Sequence, residues 1–367
     1  MNIALLSKSE NAYSETFIQN HKKNLPGKVF FYYNGLIPTH LEGHGRLLPK
    51  PKSVLAEIWG KFKKPAPVLP VTLLEKSFLD NNIDLVFAEY GHCGAAVAPL
   101  CEKLNIPLIV TWLGYEISKE EMLKKYDAPY RRLMATNAKH LVVSNTMVPA
   151  LLAFGAKPEN IFYSPFPPDN IYQKTTPKFT ENLALFTGRF VDKKAPYYLI
   201  LAMKKVVVSL PDAHLIMVGD GVLFDACFHL VSYFNLEKNI TFAGVKNLKE
   251  IEELMAGASQ YVQHSITALS KDSEGTPVAV LEASYAGLPV ISTKHAGIPD
   301  VISDGETGFL VDENDVDAFA EKMIYLFQNK DIAKKMGTKG KAYISQNFSL
   351  KNHIAVIEEA IQSIKRF

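Results

Sequence analysis

The feature that most constrains this chain is a pattern run twice: a short apolar stretch that barely alternates, then a longer amphipathic one. In the first half the stretches are "NIALLS", "KVFFYY", "DLVFAEY", "PLIVTW" and "HLVVS". In the second they are "LALFTGR", "AHLIMVGD", "NITFAG", "YVQHS", "LPVIST" and "GFLVD". A strand with one wet face alternates apolar and polar residues, so these read as strands buried on both faces. Between them "AAVAPLCEKLN", "YRRLMATNA", "APYYLILAMKKVVVSL", "KEIEELMAGA", "PVAVLEASYAG" and "DVDAFAEKMIYLFQN" read as helices. Strand–helix alternation predicts a doubly wound parallel sheet, and two series predict two sheets.

The break falls at "SPFPPDNIYQKTTPKFTEN", residues 164–182, which is rich in Pro, Thr and Asn and has no periodicity. We read it as a linker. The expected domains are residues 1–170 and 171–346, followed by a terminal segment 347–367 that reads as an amphipathic helix capped by Ser349. Two open sheets facing one another leave a cleft at the carboxyl ends of their strands, where such folds bind ligands.

With 367 residues, 47% hydrophobic, the chain suits two domains with ordinary cores. A net charge of +2 does not indicate a nucleic-acid footprint, which needs a strongly basic face. Cys93, Cys101 and Cys227 form no CxxC pair, as expected of reduced, partly buried thiols in a cytosolic protein. The opening apolar run is too short for a signal peptide, and nothing approaches a membrane span. The expectation is a cytoplasmic protein, soluble or peripheral on the membrane's inner face. No acidic pair at DxD spacing ends a strand and no His/Cys/Asp cluster stands out, so neither metal nor cofactor is expected.

Within "SEGTPVAVLEASYAGLPVIST" two glutamates, Glu274 and Glu282, stand eight positions apart, a poor match to a helix face. Thr276 is the expected cap of a helix beginning at Pro277, with Gly287 ending it. Glu274 then sits at the cleft mouth and Glu282 lies more than one turn into the helix. Free amides around Gly275 and Thr276, at a helix start, favour an anion between the two carboxylates. A nucleotide sugar has that form, with hydroxyls at either end and phosphate between. The spacing alone equally allows a solvated loop residue and a helix-surface residue. Its company favours the functional reading: "FTGRFVDKKAP" puts Gly188 and Arg189 at a strand end, followed by Lys193 and Lys194. Such cations suit phosphate oxygens and the charge on a departing diphosphate.

The segments "TGRFVDKKA", "MVGDGVLFDA", "TFAGVKN", "SEGTPVAVLEASYAGLPVISTKHAGIPDVISDGETGFLV" and "NFSLKNHIAVIEEAI" resemble glycosyltransferase family 4, the retaining nucleotide-sugar transferases of the GT-B fold. The similarity runs through the whole chain and is densest over residues 183–314. It implies two Rossmann-like domains facing across a cleft, the first binding acceptor and the second donor, with the last helix returning to the first domain. It further implies that Arg189 and Lys194 contact the donor diphosphate, Glu274 the donor sugar and Glu282 the ribose hydroxyls. Backbone at Gly188, Gly275, Thr276 and Pro277 would approach the phosphates and sugar, and Gly244, Val245, His264 and Ser265 the nucleobase. A UDP- or GDP-sugar is the implied donor, a substrate rather than a cofactor. Gly219-Asp220-Gly221 reads as a structural turn.

In the first half "YSETFIQNH" and "AEYGHCGAAVAPLCEKLNIPLIVTWLGYE" resemble the branch that builds exopolysaccharide, capsule or lipopolysaccharide. Many relatives carry a histidine where this chain has Leu113. Glu15, Thr16, Glu89, His92 and Glu116 are candidates for acceptor or sugar contacts, with core packing or capping the alternative for each. "KSVLAEIWGKFKKPAP", residues 52–67, mixes Trp59 and Phe62 with lysines. It suits an anionic membrane surface bearing a lipid-linked acceptor, or an ordinary amphipathic helix. The expected reaction is metal-independent transfer of a hexosyl-type sugar with retention, onto a saccharide or lipid-linked saccharide. The rivals are a sugar-nucleotide epimerase, a sucrose- or glucan-type synthase, and a non-catalytic two-lobed sugar-binding protein.

Overall fold

The computed structural model describes residues 1–10, 16–47 and 68–364. Two sheets organise them. The first has eight strands in the order β4-β3-β2-β1-β5-β6-β7-β8. Its parallel members are β1 (Asn2–Leu6), β2 (Lys28–Tyr33), β5 (Leu85–Glu89), β6 (Leu108–Trp112), β7 (Lys139–Val142) and β8 (Ile161–Tyr163). Two antiparallel strands, β3 (His40–Leu41) and β4 (Gly45–Arg46), extend one edge. Each has two residues, too few to leave a period in the sequence.

The second sheet is wholly parallel, in the order β11-β10-β9-β12-β13-β14. Its strands are β9 (Leu183–Thr187), β10 (His214–Val218), β11 (Ile240–Gly244), β12 (Gln260–Gln263), β13 (Val290–Thr293) and β14 (Gly308–Val311). In both sheets the non-alternating strands are the buried ones: β5, β6, β12 and β13 are buried at every residue. Helices cover them on both faces, as parallel sheets require.

One core fills the first domain, and Ile357 and Ala360 of the terminal helix Leu350–Gln362 belong to it. Ser349 caps that helix, its side chain accepting from the Asn352 N–H. The second sheet carries one core on each face. The segment between the sheets is anchored, not free: a short turn Asn170–Lys174, capped by Asp169, buries Tyr172 completely against the second domain. The three cysteines are free and buried. Among the described residues no helix is long and apolar enough to cross a membrane.

Candidate active site

The carboxyl ends of β9, β12, β13 and β14 meet those of β6 and β7 across a narrow gap. Gly188 follows β9, and a Cβ there would come within 2.8 Å of Lys194 Cδ. The missing side chain is what lets the Lys194 stem lie across the strand end. Gly219, in the turn after β10, backs the same point: a Cβ on it would lie 2.0 Å from the Gly188 carbonyl oxygen. Lys194 Nζ thereby reaches Glu274 Oε1 at 3.0 Å, with the two side chains only 12% and 10% exposed. Burial alone would raise the Glu274 carboxyl, but the ammonium groups of Lys194 and Lys193 outweigh it and hold the acid at about 2. Lys193 Nζ donates to Asp272 Oδ1 at 3.1 Å and to the Ser273 carbonyl at 3.2 Å, bracing the loop that carries Glu274. Arg189 is exposed, and its guanidinium has no partner among the described residues.

The helix behind Glu274 is Val278–Ala286, ended by Gly287 at φ 95°. Its first turn is closed by the Val280 N–H, which donates to the Pro277 carbonyl at 3.0 Å. Thr276 does not cap it, contrary to expectation: Pro277 holds the capping position, and Thr276 Oγ1 instead donates to the Val143 carbonyl of the first domain at 2.5 Å. The close approach of the domains explains the diversion. A Cβ on Gly275 would lie 2.5 Å from the Leu113 carbonyl oxygen, and one on Gly114 2.9 Å from the Gly275 nitrogen. Two glycines back to back therefore let the loops touch. Further bonds cross the same gap: the Ser273 N–H donates to Ser118 Oγ at 3.3 Å, and the Asn145 N–H to Asp300 Oδ2 at 3.0 Å.

Glu282 is only partly exposed, on the inner side of its helix and not on a free surface. Burial, aided by Asp169, pushes its carboxyl up to about 8. His264 is fully buried, with ring centroids 4.7 Å from Tyr198 and 5.1 Å from Phe319. Its Nε2 accepts the Asn314 N–H at 3.0 Å, and burial lowers it to about 4. Ser265 is buried too, its Oγ accepting from Gln263 Nε2 at 2.8 Å. Gly244 takes φ 66° and accepts the Gly219 N–H at 2.9 Å, while Val245 is exposed beside it.

The first-domain candidates are mostly turned inward. Glu89 is completely buried and faces His21 Nδ1 at 2.5 Å. His92 is buried among Tyr90, Tyr115 and Tyr126, lowered to about 4 first by burial and then by Lys8 and Lys125. Glu116 accepts the Leu113 N–H at 2.6 Å, and burial raises it to about 7. Thr16 opens the helix Thr16–Asn24, and its side chain, Glu15 and the stretch 52–67 all lie outside the described residues. A recess of about 240 Å³ opens between the domains, lined by Gly114, Ile117, Met147, Ser273, Glu274 and Ala296. That is smaller than a site for a whole drug-sized ligand and suits one ring. A larger cavity of about 640 Å³ lies at the opposite strand ends, beside Asp84, Pro107 and Ala138, away from these groups.

Sequence reasoning missed His295 and Glu313, which lie in loops, Ser118, which ends the short helix Tyr115–Ser118, and Asp300, within the short helix Ile298–Val301. Nothing in their spacing marks them.

Residues 169–343, spanning all six strands of the second sheet, match the family of glycosyl transferases group 1. WcaL of Salmonella typhimurium, named as a colanic acid biosynthesis glycosyltransferase, is 27% identical over 278 residues, 72% of this chain and 67% of that one. The amylovoran biosynthesis glycosyltransferase AmsK of Erwinia amylovora is 27% identical over 277 residues, 74% of this chain and 68% of that one. The present chain thus spans about two thirds of each relative. Among solved structures, Anabaena HepE in complex with UDP-glucose superposes with a TM-score of 0.77 at 18% identity, covering 99% of this chain and 100% of that one. A sucrose-phosphate synthase from Thermosynechococcus elongatus gives 0.74 at 18%, covering 98% of each chain. These likenesses give the fold as GT-B.

Proposed function

We propose that this chain, whose residues 169–343 match the group 1 glycosyltransferases and which is similar to exopolysaccharide biosynthesis transferases, carries out a reaction assembled around Glu274 and Lys194. The reaction moves a hexosyl-type sugar from a nucleotide-sugar donor to a saccharide or lipid-linked saccharide of a surface polysaccharide, with retention at the anomeric carbon. The bond from that carbon to the diphosphate oxygen breaks, a bond to an acceptor oxygen replaces it on the same face, and the acceptor hydroxyl's proton passes to the departing diphosphate. The charge left on the diphosphate is met by Arg189 and Lys194, without a requirement for metal. Glu274, ionised under all working conditions, accepts from the sugar hydroxyls, and the ring itself fits the recess beside it. Glu282 meets the ribose diol, and the backbone at Gly244 and Val245 borders the base.

The observation that carries this reading is the Glu274–Lys194 pair, nearly buried yet set at the mouth between the domains, beside an exposed arginine with no partner among the described residues. The acceptor side is the first domain. Whether uridine or guanosine carries the sugar divides the similar proteins themselves. HepE is solved with UDP-glucose, and a Corynebacterium glutamicum mannosyltransferase, 29% identical over 179 residues, is GDP-mannose-dependent.

A thermal-shift panel of UDP, GDP, ADP and their sugars decides it. A ligand that binds only the folded protein raises the melting midpoint with occupancy. One nucleotide family should stabilise the protein, and Arg189→Ala should reduce the shift. No response to any member of the panel overturns the donor site.

A further inference from the structure

Beside the Glu274 loop the ends of three neighbouring strands bring together a second set of polar groups. Glu313 lies two residues beyond β14, His295 two beyond β13, and Thr267 in the loop after β12. His295 is 1% exposed and touches the Glu274 loop directly: its Nε2 lies 3.1 Å from the Glu274 backbone nitrogen and 3.2 Å from Ser273 Oγ. A backbone N–H only donates, so Nε2 must accept and carries no proton. The ring's proton is then on Nδ1, which points at Glu313 Oε1 at 2.6 Å. Glu313 is fixed in turn, with Oε2 accepting the Thr267 N–H at 2.8 Å and Oε1 the Thr267 hydroxyl at 3.2 Å. Every donor in the set finds an acceptor with one tautomer and no proton left over.

We propose that Glu313 and His295 form a positioning relay for Glu274, in which the carboxylate fixes the imidazole tautomer and the imidazole fixes the Glu274 backbone. The relay does not touch substrate. Its work is to hold the peptide at Glu274 so that the side chain meets Lys194 and the recess. The neighbouring Gly297 N–H, donating to the Gly275 carbonyl at 2.9 Å, clamps the next peptide. The loop is thus held by the relay and by Lys193 and Lys194. This inference rests on the reading of Glu274 as the residue that meets the donor sugar.

The test compares two replacements of one residue. His295→Gln keeps a carbonyl oxygen able to accept the Glu274 N–H, whereas His295→Phe fills the space and offers no acceptor. The readout is release of UDP from UDP-glucose and of GDP from GDP-mannose, with water or added oligosaccharide as acceptor, alongside the melting midpoint. A relay predicts that His295→Phe lowers turnover about ten- to a hundredfold, the cost of a buried donor left unmade. The donor KM should move little, and His295→Gln should retain most of the activity. A merely structural residue would rank the two by packing, with phenylalanine the better tolerated, and that order would overturn the relay.

Glu313→Gln, on a side chain 28% exposed, covers the case in which His295→Phe melts early. It should lower turnover several-fold in the otherwise native protein and add nothing to His295→Phe, the signature of groups acting as a unit. Independent, multiplying losses would overturn the relay. Glu274→Ala separates the two levels of the argument. If it leaves nucleotide release unchanged, or the native protein releases none, the reading of Glu274 falls and takes the relay with it. If Glu274→Ala abolishes release while both His295 variants remain active, the relay alone falls.

Discussion

In the first domain Glu89, the last residue of β5, faces His21 Nδ1 at 2.5 Å; in the second, Glu313, just past β14, faces His295 Nδ1 at 2.6 Å. Both pairs sit at carboxyl ends of parallel strands and both histidines are 1% exposed. Their remaining ring nitrogens differ. His21 Nε2 meets His353 Nε2 of the terminal helix at 2.8 Å, and His353 Nδ1 meets Ser164 Oγ at 2.7 Å where the chain leaves the first sheet. Burial first, and then His21, keep His353 well below the usual histidine range, so it stays neutral there. That series of bonds begins and ends inside the protein. His295 passes its bond to the peptide of Glu274, whose side chain faces the cleft. The same two residue types fasten a helix in one domain and back a candidate active site in the other. The third partner decides which.

The largest effect that could break this contrast comes from removing the two acids with which the two circuits are concerned. Glu274→Ala should cost at least about a hundredfold in transfer, the scale of losing a directed electrostatic contact in a transition state, while the fold persists. Glu89→Ala should do the reverse. Leaving His21 without its buried partner costs roughly 1–3 kcal/mol of stability, a fall of some degrees in melting midpoint, with turnover per folded molecule within about twofold. Calorimetry and initial rates on both variants check it. A Glu89 variant of normal stability and low turnover would make the first pair part of the site and dissolve the comparison.

The contrast also shows what was legible in the sequence. Every strand predicted from a non-alternating run is present, because burial on both faces forces that composition whatever the tertiary detail. The strands that escaped, β3, β4 and β8, have two or three residues. The long helix Lys330–Asn347 escaped because its buried face is Ala333, Met336, Gly337, Gly340 and Ile344, with glycines where an apolar signal would stand. In the second domain the candidate site could be found because its parts are close in sequence: Gly188 to Lys194, and Glu274 to Glu282. In the first domain an acid at a strand end gives one signal whether it turns in, as Glu89 does, or toward the cleft. Thr276 had the right type and place for a cap, and only the opposing domain's carbonyl took its hydroxyl away. His295 and Glu313 have meaning only through a backbone N–H that folding brings to them.

Glu282 sharpens the comparison, being an acid in the same domain with neither histidine nor lysine to meet it among the described residues. Where Glu274 sits at about 2 beside two ammonium groups, Glu282 is pushed up to about 8 by burial and then by Asp169. An acid whose folded value lies above its ordinary 4.5 binds a proton in the native state that the unfolded chain has released. The nucleotide-free protein should therefore lose stability as pH rises from the ordinary carboxyl range toward 8, with no further loss from this group above that. A ribose diol donates its hydroxyls best to the ionised carboxylate, so nucleotide binding should pull the other way. Affinity for the nucleotide identified by thermal shift should rise between pH 7 and 9 by up to about tenfold, the change in ionised fraction across a group titrating near 8. Glu282→Gln should flatten both trends, which titration calorimetry and melting curves over that range would register. Affinity that falls as pH rises, or a rise that survives in the variant, would remove Glu282 from the ribose. Glu274, held ionised by its lysines, would then be the donor-side acid that remains.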